Sequence, residues 1–249
     1  MTRPFRANTQ QFVQDQRVSG VVVHRAVVIH RPRLADETAA RWYGFGMDAS
    51  QDICAVVPQG ATHNRLAGVA VRESFLPLPP PILVNGVPLL PPERVAIDLA
   101  RRSQRMDALP LLDKALHSGS CTMEDLATEV LAHKGLRGVI QARELVAVAD
   151  PRPESVQESR MRLIVIDAGL PCPTPQLVVD YFRLDLGYEE LKAGMEYDGS
   201  SHMTRDHLRA DRRRMNYLAS RGWRIRYFTD ADIFHYRSQF VSTVRSLLR

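Results

Sequence analysis

The segment RLDLGYEELKAGMEYDGSSH, residues 183–202, determines the predicted architecture, because two short apolar runs flank an acidic turn. Side chains alternate along a strand, so Glu196 and Asp198 are predicted to share one face. If residues 187–191 form a hairpin turn, Asp185 lies on the neighbouring strand, on that same face. Carboxylates that converge on a half-buried sheet repel one another and need a cation to offset their desolvation. The pattern is typical of a divalent-metal site.

The segments around these strands predict the order α-β-β-β-α-β-α. The predicted elements are a helix over 154–170, strands over 176–182, 184–186 and 193–197, a helix over 206–221, a strand over 223–228 and a helix over 231–248. Before them, Asp150-Pro151-Arg152-Pro153 stops a helix and predicts a domain boundary. The sequence therefore divides into predicted domains 1–150 and 151–249.

The first predicted domain mixes strands and helices. Strands are expected within 18–30, 53–57, 69–71 and 82–90, and Asn85-Gly86 predicts a type I′ hairpin turn. A helix is expected around 36–43, and from about residue 92 four helices follow, one of them opened by a Thr122–Asp125 cap. The predicted fold class is α/β (α+β), with a mixed C-terminal sheet.

Composition narrows the classes of function. The 249 residues are 45% hydrophobic and 24% charged, with a net charge of +5. Cys54, Cys121 and Cys172 are isolated, which disfavours a disulfide framework or a structural zinc and favours the cytoplasm. We see no signal peptide and no apolar run long enough to cross a bilayer, so no membrane partner is expected. The basic balance is compatible with nucleic acid.

The order of elements and its acidic residues resemble the PD-(D/E)XK nuclease superfamily. Residues 154–249 look like the bacterial domain related to very short patch repair endonucleases. The whole chain resembles actinobacterial proteins in which such a domain follows an AbiEi-antitoxin-like region. The matching features are Glu158, Asp185, Glu196-Tyr197-Asp198-Gly199, His202, Asp211-Arg212-Arg213, Gly222-Trp223, VPLLPPERVAIDLA (87–100) and ADPRPESVQESR (149–160).

The resemblance implies metal-dependent hydrolysis of phosphodiester bonds. Asp185, Glu196 and the carbonyl of Tyr197 would hold Mg²⁺ or Mn²⁺, which lowers the pKa of a bound water. Glu158 would hold a ligand water or a second metal. His202 is the candidate general base, because its pKa lies near neutrality.

One position departs from the superfamily pattern. The usual lysine two residues after the glutamate is Asp198 here. Either Asp198 is a further metal ligand and His202 takes the role of the base, or the site is catalytically weak.

Several of these candidate residues could instead have purely structural roles. Ser155 and Glu158 also have the spacing of a capping box. Asp185 could be a solvated strand residue, and His202 could cap the helix that follows it.

Arginines cluster on the predicted 206–221 helix and its start. Guanidinium groups suit phosphates, so this face is a candidate nucleic-acid surface. The alternative is a solvated helix face paired with acidic neighbours. The candidate residues are Arg205, Arg209, Arg212 and Arg213.

The leading hypothesis is a cytoplasmic, Mg²⁺-dependent endonuclease-like protein that acts on DNA. The alternative is a non-catalytic, DNA-binding antitoxin or transcriptional regulator of an AbiEi-type toxin–antitoxin system. An RNA-processing nuclease is a third option. The expected partners are DNA or RNA, a toxin and a second copy of the chain.

Overall fold

The structure is a computed structural model that describes residues 32–47, 53–61, 68–199 and 205–249, with residues 205–211 described by their backbone only. The chain divides into two compact units, Met1–Val95 and Ala96–Arg249. The strand predicted within 18–30, and His202, lie outside the described residues. Within the described residues, no helix is both long and apolar enough to span a bilayer.

The first unit contains a mixed sheet of five strands among the residues described, in the order β3-β2-β1-β5-β4. β1 pairs antiparallel with β2 and parallel with β5, and β3 is parallel to β2. The elements are β1 (Arg33–Leu34), α1 (Asp36–Trp42), β2 (Ile53–Pro58), β3 (Val69–Ser74), β4 (Ile82–Val84) and β5 (Val87–Leu89).

The predicted hairpin at Asn85-Gly86 is confirmed. β4 and β5 are antiparallel, and Val84 pairs with Val87 across a two-residue turn. Both turn residues have positive φ, 50° for Asn85 and 79° for Gly86. A type I′ turn requires this conformation, which asparagine and glycine adopt more readily than other residues.

The predicted helical layer is also present. Its helices are α2 (Pro92–Arg102), α3 (Arg105–His117), α4 (Met123–Ala132) and α5 (Val139–Val146). The predicted cap of α4 is confirmed, because Thr122 Oγ1 accepts the Asp125 amide at 3.1 Å and Asp125 Oδ2 accepts the Thr122 amide at 2.8 Å.

The C-terminal part confirms the predicted αβββαβ order and the mixed sheet. The strands lie in the order β6-β7-β8-β9; the first three are antiparallel and β9 is parallel to β8. The chain as a whole is of the α+β class. The elements are α6 (Val156–Asp167), β6 (Thr174–Val179), β7 (Phe182–Tyr188), β8 (Ala193–Tyr197), α7 (Arg205–Ser220), β9 (Arg224–Phe228), α8 (Asp230–Phe234) and α9 (Arg237–Leu247).

Three local predictions need correction. The β7–β8 turn lies at 189–192 instead of 187–191, because Gly187 and Tyr188 still pair with β8. The β6–β7 turn lies at residues 180–181, so β7 is longer than predicted. The helix predicted over 231–248 is two helices, because the backbone leaves helical geometry at Tyr236, where ψ is 39°.

Two apolar clusters cover the two faces of the C-terminal sheet. Leu184 lies in the cluster with Leu218 of α7, whereas Leu186 lies in the cluster with Met161 of α6. Regular alternation would place Leu184 and Leu186 on the same face. The strand therefore departs from regular alternation at Asp185, the residue between them.

A buried ion pair links the helical layer to α6. Arg162 Nη2 donates to both oxygens of Asp113, at 2.9 and 2.8 Å, and the side chains are 2% and 1% exposed. Asp113 also accepts the amide of Asp150 at 2.9 Å. The boundary predicted at residues 150–151 thus falls inside the second compact unit, and the division into two functional domains stays a prediction.

Candidate functional site

Asp185 and Glu196 lie opposite each other on adjacent strands. Leu186 pairs with Met195 in the antiparallel β7–β8 ladder, so the next position brings Asp185 beside Glu196. Asp185 is half-buried, and its Oδ2 accepts the amide of Tyr197 at 2.8 Å. Glu196 is 8% exposed. The structure therefore brings these two carboxylates together on one part of the sheet.

Glu158 reaches the same part of the sheet from the first turn of α6. Its Oε2 accepts a hydrogen bond from Gln176 Nε2 at 2.6 Å. The register of β6 and β7 places Gln176 opposite Asp185, and Gln176 has a positive φ of 52°. Gln176, Asp185 and Glu196 thus form one row across three strands, with Glu158 joined to its end.

Glu158 also takes part in the cap of α6. Ser155 Oγ accepts the Glu158 amide at 3.1 Å, as the capping alternative predicts. The Glu158 carboxylate, however, accepts the amide of Glu154 at 3.0 Å, one residue before the N-cap. We use the term acidic cluster for Glu158, Asp185 and Glu196. The Glu158 side chain, which is 5% exposed, therefore both caps the start of α6 and belongs to the acidic cluster.

Burial and neighbouring charge raise the pKa of Asp185 from 3.8 to about 6. Desolvation is the largest cause, and the charges of Glu158 and Glu196 raise the pKa further. The amide hydrogen bond from Tyr197 and the positive charge of Arg214 act in the opposite direction. Among the described residues, the third carboxylate that interacts with Asp185 is therefore Glu158, whereas the sequence predicted Asp198.

Arg214 on α7 is part of the site, although the sequence did not single it out. Its guanidinium donates to both oxygens of Glu196, at 2.8 Å to Oε2, and Nη2 also donates to the Arg183 carbonyl at 2.8 Å. The available signal was the helical period, because Arg214 precedes the buried Leu218 by four residues. It therefore lies on the inward face of α7.

The other predicted side chains lie outside the acidic cluster or outside the described part of the chain, whereas the backbone of Tyr197 contacts Asp185. Asp198 follows the end of β8, is exposed, and its amide donates to the Phe228 carbonyl at 2.7 Å. The Tyr197 side chain packs against the cluster on the α6 face of the sheet. Arg212 and Arg213 are exposed on α7. His202 and the side chains of Arg205 and Arg209 lie outside the described part of the chain.

The raised pKa of Asp185 gives a prediction on the pH dependence of stability. The folded-state pKa exceeds the unfolded value, so ionisation of Asp185 destabilises the fold as pH rises from about 4 to about 6. In a buffer that contains a chelator to remove metal ions, Asp185→Asn should be more stable than wild type at pH 7 by about 1–2 kcal/mol. This range is smaller than the full pKa shift would give, because Asp185 is partly exposed. The difference in stability should vanish near pH 4. Urea denaturation at both pH values measures it.

The control for this prediction is Asp198→Asn, which changes an exposed carboxylate outside the acidic cluster. It should show no comparable pH-dependent gain. An equal effect of Asp185→Asn at both pH values would contradict the prediction, because the difference would then not come from titration of Asp185.

The oxygen donors of the acidic cluster suit a hard divalent cation. Two carboxylates, a backbone carbonyl and waters form a set that Mg²⁺ accepts. Three carboxylates lie close to one guanidinium, so the cluster contains more acidic groups than basic ones. Within the described residues, no group of three or more His, Cys, Asp or Glu side chains has the arrangement of a metal site. The metal site predicted at Asp185, Glu196 and the Tyr197 carbonyl stays a prediction.

Comparison with known proteins finds a family match in the N-terminal part of the chain. Residues 28–148 match the AbiEi antitoxin C-terminal domain. A solved structure, the RV2827C protein from Mycobacterium tuberculosis, is similar with a TM-score of 0.38 and 20% identity over 53% of this chain and 52% of that chain, which is too little to support an assignment.

Similarity to curated proteins is more extensive. Two uncharacterised proteins, from two strains of Mycobacterium tuberculosis, are each 31% identical to this chain over 194 residues, which is 76% of this chain and 70% of each relative. The predicted AbiEi-like region is thus confirmed, whereas the nuclease resemblance of residues 154–249 stays a prediction. The chain belongs to the same family as these two mycobacterial proteins and carries a match to the AbiEi antitoxin C-terminal domain.

Proposed function

We propose that this protein is a DNA-binding antitoxin, the regulatory partner of a toxin in an AbiEi-type pair. The observation that carries the proposal is the match of residues 28–148 to the AbiEi antitoxin C-terminal domain. It is the alternative that the sequence offers beside a nuclease, and the match supports it more than it supports a nuclease.

The hydrogen bonds of the acidic cluster favour a structural role for these carboxylates over a catalytic one. Glu196 is held by Arg214, Glu158 accepts from Gln176, and Asp185 accepts the Tyr197 amide. Catalytic carboxylates need oxygens that can reach a substrate or a metal. Here each carboxylate already has a hydrogen-bond partner inside the protein, as in a structural network.

Two exposed arginines of α7, Arg212 and Arg213, provide the proposed phosphate contacts. Each contact with a DNA phosphate releases about one counterion, so binding should weaken steeply with salt. Arginine suits this role because its planar fork matches phosphate oxygens.

The proposal is tested by toxin neutralisation and by DNA binding. Co-expression of this protein should rescue growth of cells that express the toxin of the proposed AbiEi-type pair. The protein should also bind the DNA upstream of its own gene more tightly than scrambled DNA of equal length. Absence of both effects would refute the proposal.

The arginine variants sharpen the DNA measurement. Arg212→Gln combined with Arg213→Gln should weaken binding and reduce the slope of log affinity against log salt by about two. The matched control is Arg245→Gln, which removes an exposed arginine from α9. An unchanged slope in the double variant would place the DNA contacts elsewhere.

A metal-dependent endonuclease is the second candidate. The observation that favours it is the proximity of Glu158, Asp185 and Glu196 within a fold of αβββαβ order. In this reading Asp185, Glu196 and the Tyr197 carbonyl hold Mg²⁺ or Mn²⁺, and Glu158 acts through a water. The bound ion would supply Lewis-acid stabilisation of the phosphate and lower the pKa of a bound water. The protein's carboxylates would position that ion against the scissile bond.

Plasmid nicking tests the second candidate. Wild type should nick supercoiled DNA in Mg²⁺ or Mn²⁺, and Asp185→Asn or Glu196→Gln should reduce the rate by about a hundredfold or more, the scale typical of lost electrostatic stabilisation. Asp198→Asn tests separately whether this carboxylate contributes. Complete lack of nicking by wild type in both metals would reject the candidate.

Cleavage of RNA and formation of a homodimer stay predictions.

A further inference from the structure

A recess of about 300 Å³ lies on the C-terminal sheet, beside the turn that joins β6 and β7. Its apolar lining includes Val178 and the largely buried Trp223. A closed cavity of about 150 Å³ is large enough to hold benzene, so this recess has room for one aromatic side chain. It can therefore receive a projecting residue of another molecule.

Exposed apolar residues accompany the recess. Tyr181 follows the lining residue Asp180 in the β6–β7 turn and is 91% exposed, and Val178 is 64% exposed. Leu191 precedes the lining residue Lys192 in the β7–β8 turn and is 42% exposed. Single exposed apolar residues are common, but a group of them around a recess is typical of an interaction site. We call the recess together with Tyr181 and Leu191 the hairpin surface.

The turn that carries Tyr181 is fixed by contacts on both sides of it. Asp180 has a positive φ of 53°, and its carboxylate accepts a hydrogen bond from the Tyr217 hydroxyl at 2.9 Å. The ring of Phe182 packs edge-on against the ring of Tyr217, with centroids 5.4 Å apart. A side chain presented on a rigid element loses less conformational freedom on binding, which favours affinity. Tyr181 is therefore a pre-organised anchor, and tyrosine is among the residues that dominate binding energy at protein interfaces.

The charged groups that line the recess balance one another. Two are acidic and two are basic: Asp180, Glu189, Lys192 and Arg221. Arg221 lies 3.7 Å from Asp180, and Lys192 Nζ donates to the Arg221 carbonyl at 3.0 Å. A surface of one sign would repel a second copy of itself, whereas a surface with both signs can match its own charges. The charge pattern thus favours a second copy of this chain over a strongly charged partner.

We propose that two copies of this chain associate through the hairpin surface around a two-fold axis, with Tyr181 of each copy in the recess of the other. In such an interface the same surface serves both subunits, so it must carry both the projecting group and the recess that receives it. The hairpin surface carries both. β6 is an edge strand of the described sheet, but Pro175 and the positive φ of Gln176 interrupt that edge, so side chains make the contact instead of a continued sheet.

Sedimentation velocity of the full chain over a range of concentrations tests the association. Wild type should show an equilibrium of monomer and dimer, and Tyr181→Ser should raise the dimer dissociation constant by about tenfold or more, as loss of an aromatic anchor does. Tyr181→Phe keeps the ring and should associate nearly as wild type does. The matched control is Tyr236→Ser, which removes a tyrosine that is 52% exposed and does not line the recess. Because Tyr181 is so exposed, its replacement should leave thermal denaturation of the monomer unchanged.

Photo-crosslinking identifies the residues that meet in the dimer. The photoreactive amino acid p-benzoylphenylalanine, placed at position 181, is activated in an equal mixture of ¹⁵N-labelled and unlabelled chains. Mass spectrometry should find position 181 of one copy joined to the segment around Val178 or Trp223 of the other, in pairs that combine a labelled and an unlabelled peptide.

Three results would overturn this proposal. The first is a wild type that stays monomeric at every concentration up to its solubility limit. The second is a dimer that Tyr181→Ser leaves unchanged, or one in which position 181 cross-links outside the recess, because another surface would then mediate association. The third is assembly that continues beyond the dimer, which a closed two-fold arrangement does not allow. None of them affects the antitoxin or endonuclease proposals, which are decided by toxin neutralisation, DNA binding and plasmid nicking.

Discussion

Replacing Asp113 with alanine is expected to lower the free energy of unfolding by about 3–5 kcal/mol, because it leaves Arg162 charged and buried without its partner. The two side chains are 1% and 2% exposed, and both oxygens of Asp113 accept from Arg162. Arg162 also donates to the Val148 carbonyl, but its Nε has no partner within the described structure. Urea denaturation at pH 7 measures the loss.

Two comparisons separate this effect from ordinary surface electrostatics. Arg183→Ala breaks a pair with Glu154 whose side chains are about half exposed, and it should cost at most about 1 kcal/mol. Asp113→Leu combined with Arg162→Met removes both charges and should recover part of the loss. Recovery stays incomplete because the Asp150 amide and the Val148 carbonyl lose their partners. Equal costs for Asp113→Ala and Arg183→Ala would contradict the role assigned to burial.

The second large effect is expected at Gly138, the residue that precedes α5. A Cβ atom there would lie 1.9 Å from the carbonyl oxygen of Arg101, and the φ of 78° is unfavourable for any side chain. Both the contact and the backbone angle penalise Gly138→Ala, which should lose about 3 kcal/mol or more of unfolding free energy. Thermal and urea denaturation measure it.

Gly135 provides a matched control three residues earlier. Its φ is 84°, but a Cβ there would meet nothing within 4 Å. Gly135→Ala should therefore cost only the backbone term, about 1–2 kcal/mol. If the two variants were equally destabilised, the contact with Arg101 would have no energetic weight.

Gly138 also matters because Arg101 organises a buried polar network. Arg101 Nη2 donates to Asp98 at 2.8 Å, and its Nε donates to His133 Nδ1 at 3.1 Å. His133 Nε2 is 2.9 Å from Glu129. Displacement of the Arg101 backbone would disturb this chain of hydrogen bonds, so the effect should extend beyond the start of α5.

The features predicted correctly from sequence are those determined by neighbouring residues. Asn85 and Gly86 specify their turn through backbone preferences alone, and Thr122 with Asp125 specifies a helix start. The αβββαβ order follows from short apolar runs separated by turn residues. None of these predictions needs knowledge of a distant contact.

The features that were missed depend on contacts between distant segments. Gln176 meets Glu158 across 18 positions, and Arg214 meets Glu196 across 18. Asp113 and Arg162 are 49 positions apart. A residue's polarity does not reveal which segment folds over it, so the sequence located the carboxylates of the site but not the groups that satisfy them.

The buried pair of Asp113 and Arg162 has an evolutionary consequence. The match to the AbiEi antitoxin C-terminal domain ends at residue 148, between the two partners. A recombination event at that point would give one gene a buried aspartate without its arginine, and the other gene the reverse. Selection for stable folding therefore opposes shuffling at this position, and the antitoxin-like segment and α6 are expected to be inherited as one unit.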